Sequence, residues 1–260
     1  MSPDPVEPAC AAIVLAAGAG TRMDSDLPKP LHPLAGRAMV LRVLDALAAI
    51  DAGPIVVVVG HGADQVRAKV GADAPQPDRV VFATQPDQQG TGDAARVGLS
   101  ALGKFRQAPD VLVLSSDTPL LRAETLHQVV SERRRVDAAA SLLTAHVPDP
   151  TGYGRIVRDD ARVTIIEQRD ASPDVIAIDE INVGVYCFGI ARLRQVLPYL
   201  RPANAAGEYY LTQAIELLAH AHHGITTVAA SDPAEAMGVN DANQLAACEA
   251  VLIARRETPG

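Results

Sequence analysis

The sequence is poor in cysteine and has no segment that resembles a leader or a membrane span. Its three cysteines, Cys10, Cys187 and Cys248, lie far apart and match neither a zinc-ligand spacing nor an even disulfide framework, so we expect a reducing compartment. Residues 1–8 carry acids and prolines, and no apolar run approaches the roughly 18 residues of a membrane span. These absences predict a cytoplasmic protein with no membrane partner.

The chain also has fewer basic than acidic residues. The chain has 23 Lys and Arg against 31 Asp and Glu, which gives a net charge of −8. Binding along a nucleic acid needs Lys and Arg clustered over a broad face, so a nucleic-acid partner is not expected. An anionic substrate must therefore meet a local basic cluster.

The chain is long enough, at 260 residues and 48% hydrophobic content, to bury a complete α/β core. Short apolar runs, each followed by a segment of helical period, predict a parallel sheet with crossover helices. These runs are residues 12–15, 55–59, 80–83 and 111–114. They are apolar almost throughout, as expected of strands covered on both faces.

The second half of the chain has a different pattern, in which several predicted strands are followed by several predicted helices. Its predicted strands are residues 138–143, 155–158, 163–168 and 183–188, and its predicted helices are residues 191–200, 209–222 and 241–255. No internal repeat or linker interrupts it. We therefore predict one α/β domain over residues 1–260, with a core at about 11–255. It would be a doubly wound, Rossmann-like, mostly parallel sheet with an inserted β-rich lobe over the carboxyl edge, where ligands bind.

A glycine-rich segment follows the first predicted strand. Its small residues let backbone N–H groups approach a phosphate, while Arg22 and Lys29 supply positive charge for a triphosphate. A dinucleotide-binding fingerprint would need a third glycine where Met23 stands, and no Gly-Lys-Ser or Gly-Lys-Thr of a P-loop occurs. The alternative is that the glycines form only a tight turn and Lys29 is merely solvated.

Polar residues at the ends of two other strands can face the same edge. Asp117 follows the strand at 111–114, where a carboxylate suits Mg²⁺; alternatively, it organises the turn before Pro119. Gln85 ends a strand and the segment 90–92 opens a helix, so an amide and backbone groups can meet the edge of a base. A polar loop before a Thr-initiated helix explains the same pattern without a ligand.

Three further groups stay open on the residues alone. Gly152 and Gly154 lie between predicted strands and can bring backbone amides close to a sugar. Glu208 is expected in the first turn of a helix, where the helix dipole explains an acid. His220, His222 and His223 have no carboxylate or cysteine at a spacing that would complete a metal site, so a solvated helix end is favoured over metal binding.

The motifs, taken in order, resemble those of one family. The strings LAAGAGTRM at 15–23 and LPK at 27–29 are similar to the signature of sugar-phosphate nucleotidyltransferases, most closely bacterial N-acetylglucosamine-1-phosphate uridylyltransferases. The later matches follow in the same order: QPDQQGTG at 85–92, DTPL at 117–120, DPTGYGR at 149–155, Glu167, EIN at 180–182, GEYY at 207–210 and GVN at 238–240. Together they cover about residues 12–252.

The resemblance implies UTP and N-acetylglucosamine 1-phosphate as substrates, Mg²⁺ as cofactor and UDP-N-acetylglucosamine as product. It also implies a role for each matched residue. Arg22 and Lys29 would be catalytic, and Asp117 and Asn240 would hold the metal. The nucleotide-binding residues would be Leu15, Ala17, Gly18, Gly20, Gln85, Gly90 and Thr91, and the sugar-binding residues would be Ser115, Gly154, Glu167 and Asn182. From the sequence alone, Asn240 could equally cap the last helix.

The sequence departs from the family in two ways. Members commonly carry a second, left-handed β-helix domain with acetyltransferase activity, and no hexapeptide repeat appears here, so we expect no acetyl transfer and a monomer or weak homo-oligomer. Ser115-Ser116 stands where the family usually has Tyr-Gly, which leaves the sugar specificity open. The alternatives are another sugar 1-phosphate, such as glucose 1-phosphate, or another NTP, and a non-catalytic nucleotide-sugar sensing module.

Overall fold

The computed structural model describes residues 10–103, 108–159 and 162–257. Residues 1–8, on which the expected compartment partly rests, lie outside those ranges. The strands are β1 Ala11–Ala16, β2 Pro33–Leu34, β3 Arg37–Ala38, β4 Ile55–Val59, β5 Val80–Thr84, β6 Asp110–Ser115, β7 Ala140–His146, β8 Arg155–Asp159, β9 Arg162–Ile166, β10 Glu180–Gly189 and β11 Ile225–Ala229. The α-helices are α1 Met39–Ala49, α2 Ala63–Asp73, α3 Thr91–Leu102, α4 Ala123–Arg135, α5 Pro173–Ile176, α6 Ile190–Val196, α7 Thr212–His220 and α8 Ala242–Glu257.

The main sheet has the order β11-β7-β10-β6-β1-β4-β5. Strands β6, β1, β4 and β5 pair in parallel, as do β7 and β11, whereas β10 is antiparallel to both of its neighbours. The predicted mostly parallel α/β sheet is confirmed. Alternate residues of β1 enter different apolar clusters, Ala12 and Val14 on one face and Ala11 and Ile13 on the other. The sheet is thus covered on both faces, which explains its continuous apolar strands.

The strand order reverses next to β1. The chain runs from β1 outward to β4 and β5, then returns to place β6 on the other side of β1. At such a switch point the loops that leave the two strands diverge and open a crevice at the carboxyl ends. The glycine-rich segment after β1 and the segment after β6, which begins with Ser116 and includes Asp117, are these two loops.

The β-rich lobe consists of a hairpin joined to the first half of β10. Strands β8 and β9 pair antiparallel, and Arg155 of β8 lies opposite Ile181 of β10. The register of β10 against β7 shifts between Asn182 and Tyr186. This shift separates the half of β10 that belongs to the lobe from the half that belongs to the sheet core.

Several predicted bounds need correction. The helix expected from residue 209 begins at Thr212. The backbone of Tyr209 is instead hydrogen-bonded to the segment before and at the start of α3: its N–H donates to the Gln89 carbonyl at 2.8 Å, and its carbonyl accepts from the Gly92 N–H at 2.7 Å. Glu208 therefore precedes the helix and is not in its first turn. The helix expected at 191–200 changes to a 3-10 turn, Leu197–Tyr199, since Pro198 has no N–H to continue it.

Strands β11, β2 and β3 were not predicted. Among the described residues, none of the helices combines the length and the apolar character needed to cross a bilayer.

Candidate active site

A cleft of about 450 Å³ opens at the carboxyl ends of β1 and β6. Many residues singled out in the sequence share its walls: Leu15, Ala17, Gly18, Lys29, Gln85, Gly90, Thr91, Ser115 and Asp117. Segments far apart in the chain thus meet at the predicted edge of the sheet. Gln88, Ser116 and Glu208 also line the cleft; none of them was among the predicted binding residues.

The glycine-rich loop is held from both sides. The Ser116 N–H donates to the Leu15 carbonyl at 3.0 Å, and the His61 N–H donates to the Ala17 carbonyl at 3.1 Å. Gly20 has a φ of 62°, and a Cβ placed on it would lie 2.5 Å from the Lys29 Cβ. Gly20 is therefore required both for its left-handed backbone and for the close approach of Lys29. It lies behind Lys29, outside the cleft wall.

Lys29 joins the two predicted metal ligands. Its Nζ donates to Asp117 Oδ2 at 2.5 Å and to Asn240 Oδ1 at 2.9 Å. A backbone bond of 2.9 Å from the Val239 N–H to the Asp117 carbonyl holds the two loops side by side. Two hard oxygen atoms therefore converge on one cationic group, here the lysine ammonium.

This oxygen pair fits Mg²⁺. The ion usually takes one or two protein carboxylate or amide oxygens and completes its shell with waters and substrate phosphates. Within residues 10–103, 108–159 and 162–257, no cluster of three or more His, Cys, Asp or Glu could form a metal cage. Asp117 and Asn240 are a donor set of the kind that suits a metal shared with a phosphorylated substrate.

Neighbouring residues fill the two structural roles, helix cap and turn former, that the sequence left open for Asn240 and Asp117. Asp241, not Asn240, caps the last helix: its Oδ1 accepts from the Gln244 N–H at 2.9 Å. The hydroxyl of Thr118 donates to the Ser115 carbonyl at 3.1 Å and so organises the turn after β6. The side chains of Asp117 and Asn240 are thus left to face Lys29.

The part of the cleft wall that contains Gln85 and Gly90 is held by hydrogen bonds to residues behind it. Gln85 Nε2 donates to Asp93 Oδ2 at 2.8 Å and to the Gly90 carbonyl at 3.2 Å. Gly90 has a φ of 109°, and a Cβ on it would lie 2.6 Å from the Tyr209 carbonyl oxygen. The hydroxyl of Thr91 accepts from the Leu211 N–H at 3.0 Å. Thr91 therefore anchors the segment before α7 as well as lining the cleft.

Three of the predicted sugar-binding residues lie together but outside this cleft. The Asn182 N–H donates to the Gly154 carbonyl at 2.9 Å, and a Cβ on Gly154 would lie 3.4 Å from Glu167 Oε2. The Asn182 side chain is engaged at both ends, donating to Tyr186 Oη at 2.7 Å and accepting from the Gly184 N–H at 3.2 Å. Ser115 is the predicted sugar residue that lies in the cleft itself.

Glu167 lines a second recess, of about 240 Å³, together with Tyr210 and Thr212. Burial raises the pKa of its carboxyl, and a hydrogen bond from the Thr212 hydroxyl, at 3.3 Å, opposes that rise. A carboxyl in this setting can accept hydrogen bonds from sugar hydroxyls.

Arg155, at the end of the DPTGYGR motif, is fully buried, a placement that sequence reasoning did not foresee. Its guanidinium donates to the carbonyls of Tyr153 and Ile176 and to Gln168 Oε1. Tyr153 in turn accepts from the Gly238 N–H at 3.4 Å, which connects the lobe to the loop of Asn240. A lone Arg after two glycines carries no sequence signal for such a position.

Arg22 is exposed on the 3-10 turn Thr21–Met23 and makes no hydrogen bond or ion pair with the residues that the structure describes. It does not line the cleft. Its predicted role on a triphosphate stays a prediction.

Residues 12–175 match the family described as the MobA-like NTP transferase domain. The chain belongs to this family. The predicted membership of a nucleotidyltransferase family is thereby confirmed, and the glycine-rich loop, Gln85 and Asp117 all lie within the matched residues.

Curated relatives of the chain include proteins named bifunctional protein GlmU. The one from Trichlorobacter lovleyi is 48% identical over 244 residues, covering 93% of this chain and 52% of the relative. That from Corynebacterium aurimucosum is 46% identical over 246 residues, with 94% and 50% covered. The chain spans about half the length of the curated relatives it matches.

Among solved structures, the fold is similar to that of a Bacillus anthracis protein, provisionally assigned as a glucose-1-phosphate thymidylyltransferase and crystallised with a sucrose. The TM-score is 0.74, with 96% of this chain and 97% of the other covered. The sequences are 20% identical, so this likeness establishes the fold alone.

Proposed function

We propose that this domain transfers UMP from UTP to N-acetylglucosamine 1-phosphate, releasing pyrophosphate and forming UDP-N-acetylglucosamine. The observation that carries the proposal is the convergence of Lys29, Asp117 and Asn240 beside the glycine-rich loop, at the switch point of a nucleotidyltransferase sheet. The GlmU relatives support it over most of the chain.

The reaction is an in-line displacement at the α-phosphorus. An oxygen of the sugar phosphate forms the new P–O bond while the bond to the β-phosphate oxygen breaks and pyrophosphate leaves. Since a phosphate monoester is already anionic near neutral pH, no strong base is needed. Catalysis then depends on alignment and on neutralising charge.

The residues supply those two requirements. Lys29 would neutralise the phosphates from inside the cleft, and Arg22, which does not line the cleft, would supply a second positive charge. Asp117 and Asn240 would hold Mg²⁺, which when bound neutralises charge on phosphate oxygens. The backbone of Leu15, Ala17 and Gly18 would border the nucleotide.

The remaining predicted residues would contact the base and the sugar, which are the two ends of the bound substrates. Gln85, Gly90 and Thr91 would meet the uracil. Ser115, Gly154, Glu167 and Asn182 would meet the sugar. We also propose a cytoplasmic location and a monomer or weak homo-oligomer.

A substrate screen tests the proposal. The common NTPs are crossed with several sugar 1-phosphates, and pyrophosphate release is measured with and without Mg²⁺. We expect release that depends on Mg²⁺ and is fastest with UTP and N-acetylglucosamine 1-phosphate. Absence of pyrophosphate with every pair would contradict the proposal and favour a nucleotide-sugar binding module.

A further inference from the structure

The buried amide of Gln85 is held in one orientation by its neighbours. Both atoms that its Nε2 faces, Asp93 Oδ2 at 2.8 Å and the Gly90 carbonyl oxygen at 3.2 Å, can only accept hydrogen bonds when the carboxylate is ionised. The amide end facing them must therefore be the NH₂ group, which has two hydrogens to give. A turned amide would set its oxygen against two other oxygens.

Asp93 is itself fixed. It is 7% exposed on the first turn of α3, and its other oxygen, Oδ1, accepts from the Arg96 guanidinium. Arg96 in turn packs over the Tyr209 ring, 5.7 Å from its centroid. The carboxylate cannot rotate away from Gln85 without breaking the ion pair to Arg96.

What remains of Gln85 for a ligand is its carbonyl oxygen. Gln85 lines the cleft, and none of the residues that the structure describes donates to its Oε1. We propose that Asp93 is a specificity-determining positioning residue, which holds Gln85 so that the cleft offers the nucleobase a hydrogen-bond acceptor. This inference rests on the proposed function.

The acceptor selects among bases by their edges. Uracil carries an N3–H donor at the centre of its pairing edge, whereas cytosine carries a lone pair at the same atom. An oxygen aimed there bonds uracil and repels cytosine. Sites built around a specific hydrogen bond reject ligands that lack its partner far better than apolar sites do, so we expect UTP over CTP by on the order of a hundredfold or more in kcat/KM.

The test is Asp93→Asn, which keeps the shape but offers Gln85 either a donor or an acceptor, so that the amide can turn. We expect the UTP-to-CTP ratio of kcat/KM to fall at least tenfold, with a thermal melt close to that of the native protein. The matched control is Arg96→Lys, which keeps a cation beside Asp93 and leaves the Asp93 bond to Gln85 in place, and which should retain the ratio. Should Asp93→Asn fold poorly, Asp93→Ser, whose hydroxyl both donates and accepts, replaces it.

Each outcome decides the matter. If the UTP-to-CTP ratio of kcat/KM is unchanged, whether or not the activity with both nucleotides falls, Asp93 serves only the fold and the inference is wrong. If the native protein releases no pyrophosphate with any nucleotide, the proposed function fails. In that case the ratio of UTP and CTP dissociation constants, measured by calorimetry on the same variants, still tests the role of Asp93.

Discussion

At the scale of single residues, the ammonium of Lys29 contacts two side-chain oxygens, those of Asp117 and Asn240. Lys29 is 13% exposed and Asp117 is 23% exposed on their side chains, so water screens their pair less than it screens a surface ion pair. The sequence indicated both residues through the motifs around them. That Lys29 bonds both Asp117 and Asn240 could not be predicted, because side-chain contacts between distant segments depend on the assembled sheet.

Replacement of Lys29 by Ala should remove a preorganised charge from the phosphates. We expect turnover to fall by on the order of a hundredfold to a thousandfold, which corresponds to about 2.7–4 kcal/mol of transition-state stabilisation. Lys69→Ala is the control, since it removes an exposed helical ion pair to Asp73. Equal turnover in the two variants, with normal melts, would exclude Lys29 from the chemistry.

Ser115 is the predicted sugar residue inside the cleft, and it is smaller than the tyrosine usual in the family. We expect only modest discrimination between N-acetylglucosamine 1-phosphate and glucose 1-phosphate, since one lost contact is worth about 1–3 kcal/mol. Measuring kcat/KM for both sugars in the native protein and in Ser115→Tyr checks this. A native preference above roughly a thousandfold, or no change in the variant, would show that Ser115 does not set the sugar preference.

Glu167 should make stability depend on pH. Because burial raises the pKa of its carboxyl in the folded state, its favourable contribution is present below the unfolded value near 4.5 and is lost as pH rises through the folded pKa. Glu167→Gln keeps an acceptor for Thr212 and does not ionise. We therefore expect the melting temperature of Glu167→Gln, relative to the native protein, to increase from acidic to neutral pH.

The control for that series is Glu216→Gln, which changes an exposed carboxyl of the same recess. A difference in melting temperature between Glu167→Gln and the native protein that stays constant with pH would show that burial does not raise the pKa of the Glu167 carboxyl.

At the scale of elements, local pattern located the central strands well and the helix ends less well. Strands β1, β4, β5 and β6 lie within a residue or two of their predicted bounds, because continuous apolar runs are sufficient to mark buried strands. The start of α7 was wrong because hydrogen bonds to Gln89 and Gly92, distant in sequence, hold Tyr209 outside the helix. β11 is a half-buried edge strand with a weak pattern.

The N-terminus of α4 depends on a residue far along the chain. Glu235 is fully buried, and its two oxygens accept from the Arg122 N–H at 2.8 Å and the Thr125 hydroxyl at 2.9 Å. Glu235→Ala leaves both donors unpaired, so we expect a loss of about 1–3 kcal/mol in the free energy of unfolding. Urea unfolding measures it, with the exposed Glu124→Ala as control. Similar losses in both variants would show that Glu235 adds nothing specific.

At the scale of the whole molecule, a ligand in the cleft should stabilise the fold by mass action. UTP with Mg²⁺ at a hundred times its dissociation constant would add about 2.7 kcal/mol, which for a chain of this size raises Tm by several degrees. Thermal melts with UTP, CTP and no nucleotide measure the effect. A shift with CTP as large as with UTP would argue against selective binding of uracil.

The sequence by itself determined where the central strands β1, β4, β5 and β6 lie along the chain, the succession of the motifs, and the family to which the chain belongs, because apolar runs, glycines and motif strings are local features. Only the tertiary structure decided which of those residues meet. It brought Asn240 to Lys29, placed Asp93 against the Gln85 amide, and set Glu167 in a recess separate from the cleft. The reason is physical: distances between remote side chains follow from strand order, register and loop contacts, and these are settled only when the sheet assembles and both of its faces are buried.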